Sequence, residues 1–388
     1  MKSSIKKVLF LFTVLMLSIL IVACNSDSFS EGNNEDANNS EQNNEASEEN
    51  SEPFYEGETI EMVIPFEVGG GTDVFARFMQ QYLVKHIEGN PDMQPVNIPG
   101  GGSVNGANEY VVLREPDGMS ILVSSGSTHG PYLLGDPAVE YDLTKLQPVM
   151  GVPVGSVVYA SPDTGIEGPE DILNAKQDLV YAGISATGAD LAALLSFELL
   201  GADVKAVLGY EGRGPSRVAF EQGESNIDYQ TDSAYKENVV PLVENGKAIP
   251  LYTFGQIDAN GDLVRDPAFP DLPTVKEVYE QIHGEEPSGI VWEAYKTYAG
   301  ALFSPQKVIW LHSDAPQEAV DALVAAGESL KQDEEFVAES EVALGGYEII
   351  VGEELQSVVN AIFQTDDEVN EWVINFLKEK HGVERLGG

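Results

Sequence analysis

Short apolar runs alternate with amphipathic segments along most of the chain. Glu58 to Phe66 becomes a continuous apolar run, which is typical of a buried strand. From Thr72 to Ile87 the large apolar residues recur at helical spacing, which predicts a helix. The order strand, loop and helix is then repeated, and the predicted strands and helices lie at 94–98, 107–114, 119–124, 179–182 and 191–200. This repetition predicts an α/β protein with parallel sheets and helices on their faces.

Two extended segments divide the chain. Leu146 to Ala160 is bounded by prolines and glycines and is predicted to cross from a first domain into a second, and Ile249 to Phe254 to cross back. The chain beyond its N-terminal segments has about 335 residues, which is long for one hydrophobic core. We therefore expect a discontinuous domain I over 57–155 and 255–388, and a domain II over 156–254.

The N-terminus has the pattern of a secretion signal over its first 23 residues. Lys2, Lys6 and Lys7 precede the apolar run Val8 to Ala23, which is too short to cross a bilayer of about 30 Å comfortably. Cys24 follows and is the only cysteine, so it cannot form an internal disulfide. It is either a free thiol or, because small residues precede it as in a bacterial lipobox, the site of a thioether-linked lipid anchor.

An acidic tether follows the signal. Residues 24–56 are rich in Asn, Ser and acids, and we expect them to be disordered. The whole chain has 64 acidic against 21 basic residues and a formal net charge of −43. This charge excludes nucleic acid and anionic lipid headgroups as partners.

Three glycines connect the first predicted strand to the first predicted helix. Gly69, Gly70 and Gly71 are followed by Thr72 and Asp73. Such a loop presents backbone N–H groups, and the helix N-terminus adds partial positive charge, so the segment suits an anion. A phosphate-binding loop would have a lysine after the last glycine, and a carboxylate therefore fits better. The alternative is a glycine turn that only lets the helix pack closely on the strand.

A second, shorter loop has a similar pattern. Small residues from Gly183 to Gly188 precede Asp190, between a predicted strand and an apolar helix. Ser185, Thr187 and Gly188 are its candidate ligand contacts. Two such loops, one in each domain, would face each other across a cleft.

A third polar segment lies at the carboxyl end of the strand at 119–124. Ser124, Ser125, Gly126 and Ser127 are candidate contacts because ligands of open α/β sheets bind at this edge. The alternative is an ordinary polar turn into a helix. A histidine follows at position 129, and we expect it at the surface.

Further candidates lie in the second half of domain II. Tyr210 and Arg213 could reach the cleft, and Asp232 follows a predicted strand. Arginine is the natural bidentate partner of a carboxylate. Arg213, like the neighbouring Arg217, could instead pair with a surface glutamate.

Signs of catalysis are weak. The chain has no His-x-x-x-His pair and no Gly-x-Ser-x-Gly motif, and the glycines from Pro99 to Gly106 fit the dinucleotide fingerprint poorly. We therefore expect no metal, no cofactor and no enzyme. The remaining catalytic alternative, a secreted hydrolase, would depend on Ser125 or His129.

Four motifs occur in order along the chain. They are Pro-Phe-Glu-Val-Gly-Gly-Gly-Thr-Asp-Val-Phe-Ala-Arg at 65–77, Asn-Ile-Pro-Gly-Gly-Gly-Ser-Val-Asn-Gly at 97–106, Pro-Asp-Gly at 116–118, and Phe-Pro-Asp-Leu-Pro-Thr-Val-Lys-Glu at 269–277. Over residues 58–350 the chain thereby resembles the receptors of tripartite tricarboxylate transporters, the Bug-type extracytoplasmic solute-binding proteins. It departs from their pattern at Val68, at Gly209 to Gly214 and at Tyr279 to Tyr298.

The resemblance implies a two-domain periplasmic-binding-protein-like (type II) α/β fold with a ligand cleft. It implies a monomer on the outer face of the cytoplasmic membrane that delivers a small di- or tricarboxylate to a permease. Backbone groups of Phe66 and of 69–72 would contact the ligand, Asp73 would organise the loop, and 124–127 and 185–188 would complete the polar wall. A receptor that signals to a membrane kinase is the alternative.

Overall fold

Two mixed sheets form the centre of the fold. A computed structural model describes residues 52–258 and 261–386. The predicted signal peptide, Cys24 and all but the end of the tether lie outside the described residues. The strands are β1 Thr59–Ile64, β2 Asp92–Asn97, β3 Ser120–Ser125, β4 Leu146–Val152, β5 Ser156–Ala160, β6 Leu179–Gly183, β7 Val204–Leu208, β8 Ile227–Thr231, β9 Ile249–Thr253, β10 Gln256–Ile257, β11 Leu263–Val264, β12 Lys307–His312 and β13 Ile350–Val351.

The first sheet has the strand order β13-β4-β12-β3-β1-β2. β1 is parallel to β2 and β3, as the repeated strand–loop–helix pattern predicts. β12 inserts between β3 and β4 and is antiparallel to both. The prediction of a parallel sheet is therefore wrong for this half, because a strand from near residue 310 returns in the opposite direction.

The second sheet has the order β7-β6-β8-β5-β9. β6 is parallel to β7 and β8, whereas β5 is antiparallel to β8 and β9, so the prediction of a parallel sheet is wrong for this sheet too. β10 and β11 form a separate antiparallel pair.

Helices cover the sheets and begin where loops leave the strands. The predicted helices over 72–87 and 191–200 are confirmed as α1 and α4. The helices are α1 Gly71–His86, α2 Val104–Leu113, α3 Gly126–Leu133, α4 Asp190–Leu200, α5 Arg213–Glu221, α6 Asp232–Ala234, α7 Val240–Glu244, α8 Val275–His283, α9 Ile290–Phe303, α10 Gln317–Leu330, α11 Glu334–Ala343, α12 Gly352–Ile362 and α13 Asp367–His381. Shorter 3₁₀ and π segments lie between them.

Helices from the C-terminal half pack in the same apolar core as the second sheet. This core contains Tyr181 and Tyr229 of the sheet together with Val278 of α8, Tyr295 of α9 and Val373 of α13. The strands therefore change from one sheet to the other near residues 155 and 255. The helices do not follow this division, because helices beyond residue 255 still pack with the second sheet. The predicted domain boundaries stay a prediction.

Candidate functional site

Asp73 organises the glycine loop from within the first turn of α1. Its buried carboxylate accepts the Gly69 N–H at 2.8 Å and the Asn97 Nδ2–H at 2.9 Å. Arg77, one turn further along the helix, donates Nε–H to the same carboxylate at 3.0 Å. Asn97 also donates to the Phe66 carbonyl at 3.0 Å, so both ends of the loop are held.

The charge of Asp73 is stabilised where it lies. Burial disfavours its ionised form, but hydrogen bonds from Arg77, Gly69 and Asn97 outweigh burial and lower the pKa of Asp73. Because the Asp73 carboxylate already accepts hydrogen bonds from three groups of the protein, its role is to hold the loop in place.

Close packing disfavours a side chain at Gly70, where an added Cβ would lie 3.2 Å from the Glu67 carbonyl oxygen, but not at the other two glycines of the loop. A Cβ added at Gly69 or Gly71 would meet no atom within 4 Å. Gly69 has φ of +80°, which favours glycine for conformational reasons, but Gly71 has no positive φ. The alternative of a glycine turn that only allows tight packing therefore fails at Gly71. The N-terminus of α1 also has no side-chain cap, unlike that of α3.

Lys307 lies at this loop and was missed by sequence reasoning. Its Nζ donates to the Thr72 hydroxyl at 3.0 Å. It is the first residue of β12 and pairs in register with Ser125 of β3. Burial lowers the pKa of Lys307 to about 7, against the opposing effect of Asp232. The only sequence signal was a lysine at the start of an apolar strand in a chain poor in cations.

Ser125 and Gly126 form the start of α3. The Ser125 hydroxyl accepts the Ser127 N–H, and the Thr128 hydroxyl accepts the Ser125 N–H, both at 3.3 Å. A Cβ at Gly126 would lie 2.2 Å from the Leu302 carbonyl, so α3 is packed directly against α9. The polar-turn alternative therefore accounts for the side chain of Ser125.

Ser124 and His129 are both fully buried. Nδ1 of His129 donates to the Ala301 carbonyl at 3.1 Å, so Nε2 accepts from the Ser124 hydroxyl at 2.9 Å. The Trp310 indole N–H donates to the same hydroxyl at 2.7 Å. The expectation of a surface histidine is wrong, and the Ser124 side chain belongs to the core. Burial lowers the pKa of His129 to about 4, so the ring is neutral at pH 7.

The second loop is organised by Asp190 as the first is by Asp73. Asp190 accepts the Ile184 N–H at 2.8 Å and the Ser185 N–H at 3.0 Å. Within the loop, the hydroxyls of Ser185 and Thr187 lie 3.0 Å apart. In both loops, therefore, an aspartate in the first turn of the following helix accepts backbone N–H groups from the loop before it.

Arg213 is occupied by groups of the protein. One guanidinium nitrogen lies 3.0 Å from Asp190, and the other is paired with Asp228. The guanidinium also lies 4.0 Å from the ring centroid of Tyr229. Burial raises the pKa of Asp228, although Arg213 opposes this. The geometry favours a structural role for Arg213 over the ligand contact predicted for it. Arg217 pairs with Glu221, which agrees with the alternative of a surface glutamate partner.

The polar segments at 125–127 and 185–188 meet. A Cβ at Gly188 would lie 3.3 Å from the Ser127 hydroxyl, and one at Gly130 would lie 2.1 Å from the Thr187 carbonyl.

The Tyr210 N–H donates to the Gly183 carbonyl at 3.1 Å, which places Tyr210 beside the second loop. A groove of about 460 Å³ is lined by Ile184, Ser185, Ala186, Thr187, Leu208, Gly209, Gly382, Val383, Glu384 and Arg385.

Asp232 is buried between the two halves of the chain. Its Oδ2 has no hydrogen-bond partner among the described residues, and burial raises its pKa to about 6. Asp266 raises the pKa further, whereas Lys236 and Lys307 lower it. A side chain at Gly345 would collide with this carboxylate.

Residues 52–258 and 261–386 contain no group of three side chains arranged to hold a metal ion. They also contain no helix with the length and apolarity needed to cross a membrane.

The chain is similar to a curated protein and to several solved structures. No family model matches the chain. Protein BugT of Bordetella pertussis is 26% identical over 238 residues, which cover 58% of this chain and 67% of BugT. The resemblance to the Bug-type solute-binding proteins is confirmed.

Solved structures with similar chains have the same fold. Periplasmic binding protein BugD aligns with a TM-score of 0.59 at 21% identity, covering 84% of this chain and 99% of BugD. MatC of Rhodopseudomonas palustris with bound malate has a TM-score of 0.59 at 21% identity, covering 82% and 99%. Rpa4515 of the same organism with adipate has a TM-score of 0.59 at 19% identity, covering 84% and 97%. The predicted periplasmic-binding-protein-like α/β fold is therefore confirmed.

Proposed function

We propose that this protein is an extracytoplasmic receptor that binds a small carboxylate at the glycine loop. One observation carries the proposal: the N-terminus of α1 has no side-chain cap, and Asp73 holds the loop around it in place. The first N–H groups of a helix have no partner within the helix and favour an anion. The space in front of Gly71 is open, because a Cβ added there would meet no atom within 4 Å. A ligand can therefore approach the N–H groups of this turn.

The relatives support the carboxylate as the ligand class. Malate and adipate, bound by MatC and Rpa4515, are both dicarboxylates. We propose that Gly69 to Thr72 contact one carboxylate and that backbone groups at 125–127 and 185–188 face the rest of the ligand. On this proposal the protein is not an enzyme. The buried Ser124–His129 pair supports this view, because His129 is bonded to Ser124 and is enclosed in the core.

We further propose a lipid anchor at Cys24 and delivery of the ligand to a membrane permease. The small residues before Cys24 support the anchor. Replacing Cys24 with serine should move the protein from the membrane fraction to the soluble fraction of cells. Retention of Cys24→Ser in the membrane fraction would contradict the anchor but not the ligand site.

Thermal unfolding tests the ligand class. Mono-, di- and tricarboxylates are each added to the purified protein, with their neutral amides as matched controls. A ligand at about 100 times its Kd should raise the free energy of unfolding by about 2.7 kcal/mol. If no acid of the panel stabilises the protein more than its amide does, the proposed function is wrong.

A further inference from the structure

Among the lysines and arginines of the described chain, Lys307 is notable because it lies at the sheet edge where the glycine loop begins. It begins β12, between Ser125 of β3 and Val152 of β4. The glycine loop and α3 both start from this edge of the first sheet. From there the lysine side chain reaches the Thr72 hydroxyl, in the first turn of α1.

In the part of the chain that the structure describes, the Lys307 ammonium has no close carboxylate partner, and Thr72 accepts only one of its three possible hydrogen bonds. Acidic residues outnumber basic ones 64 to 21 in the sequence, and most described arginines and lysines are paired with a carboxylate. Lys307 has no carboxylate within 4.0 Å in residues 52–258 and 261–386, although Asp232 is near enough to affect its pKa. An ammonium has three donors, and the Thr72 hydroxyl takes one.

We propose that Lys307 binds a ligand carboxylate directly, together with Thr72 and the uncapped N-terminus of α1. The inference rests on the proposed function and deepens it: Lys307 supplies the full positive charge that the backbone of the loop lacks. It therefore selects acids over neutral amides of the same shape. A hydrogen bond from an ammonium to a carboxylate is stronger than one between neutral groups.

A purely structural role for Lys307 is the competing explanation. In that case the lysine would only tie β12 to α1 through Thr72. Lys307→Gln separates the two roles, because the glutamine amide retains a donor for the Thr72 hydroxyl but has no charge. Lys236→Gln is the matched control: it removes the same charge from an exposed lysine that also interacts with Asp232.

Calorimetry with malate, succinate, adipate and citrate measures the effect. Lys307→Gln should weaken the tightest of these acids about 10- to 100-fold. Lys236→Gln should change its affinity less than about twofold, because exposed charges are screened. Affinity of Lys307→Gln within twofold of the unaltered protein contradicts the role of Lys307. No binding by the unaltered protein contradicts the proposed function instead.

Proton uptake provides a test that does not depend on the folding of a variant. At pH 8 the carboxylate should draw a proton onto Lys307, whose pKa is about 7 in the free protein. Of the facing groups, Asp232 has a pKa of about 6 and His129 one of about 4, so neither takes up a proton at pH 8. Binding enthalpies in buffers of different ionisation enthalpy should show uptake approaching one proton, and absence of uptake contradicts the proposal.

Discussion

The two aspartate-centred loops have the same local design but balance their charge differently. Asp73 accepts one backbone N–H of its loop and Asp190 accepts two, and each aspartate is also bound by an arginine. The side chain of Arg77 is 45% exposed and serves one carboxylate, whereas that of Arg213 is 16% exposed and is shared with Asp228. Similar loop sequences thus support different roles, because the surroundings of the arginine decide whether it holds a loop or a core.

The largest expected effect concerns Arg213. Arg213→Met leaves Asp190 and Asp228 buried without their cation, and it should lower the free energy of unfolding by about 3–5 kcal/mol. Arg217→Met removes an i,i+4 surface pair with Glu221 and should cost less than about 1 kcal/mol. Urea denaturation of both variants measures the difference. Equal losses would show that the buried position of Arg213 has no special importance.

Asp73 gives the corresponding test in the first loop. Asp73→Asn weakens bonds from Gly69, Arg77 and Asn97 and should cost about 1.5–3 kcal/mol at pH 7. Because the folded-state pKa of Asp73 is lowered, its contribution should be complete above about pH 4 and lost as pH falls through the folded pKa. The matched control is the exposed Glu67→Gln, expected within about 0.5 kcal/mol. A loss no larger than this control contradicts the organising role.

Ligand affinity should depend on pH through the first loop. Lys307 has a pKa of about 7, so carboxylate affinity should fall as pH rises from 7 to 9, by at most about tenfold per unit. Asp232, facing Lys307, is already ionised over this range, and Arg213 beside the second loop keeps its charge. Calorimetry across this range should show the fall in the unaltered protein and a flat profile in Lys307→Gln. A flat profile in both would assign the binding charge elsewhere.

The smallest expected effect on stability comes from Gly71→Ala. An added Cβ meets no atom within 4 Å, so the free energy of unfolding should change by less than about 1 kcal/mol. Carboxylate affinity should nevertheless fall several-fold, because the methyl group lies where the ligand approaches. In Gly126→Ala the Cβ meets the Leu302 carbonyl and should cost about 1–3 kcal/mol of stability. Unchanged affinity in Gly71→Ala would place the ligand away from α1.

Local patterns predicted the local structures well. The spacing of apolar residues predicted α1 and α4, and in both small-residue loops the aspartate that follows accepts at least one loop N–H. These features depend on neighbours within a few residues, so a local sequence pattern is enough to predict them.

Features made by distant parts of the chain were not predictable in this way. Lys307 reaches Thr72 only because β12 inserts beside β3, and the two residues are far apart in sequence. Ser124 looked like a ligand contact at a strand end, but Trp310 and His129 enclose it. Arg213 looked like a free cation because both of its carboxylate partners are remote in sequence.

The helices that pack with the second sheet have a mechanical consequence. α8, α9 and α13 all lie beyond residue 255 in the chain, yet their side chains belong to the core of the second sheet. A motion of the second sheet relative to the first must carry these helices along or break that core. The moving unit in a ligand-driven closure would therefore be the second sheet together with α8, α9 and α13, and not residues 156–254 alone.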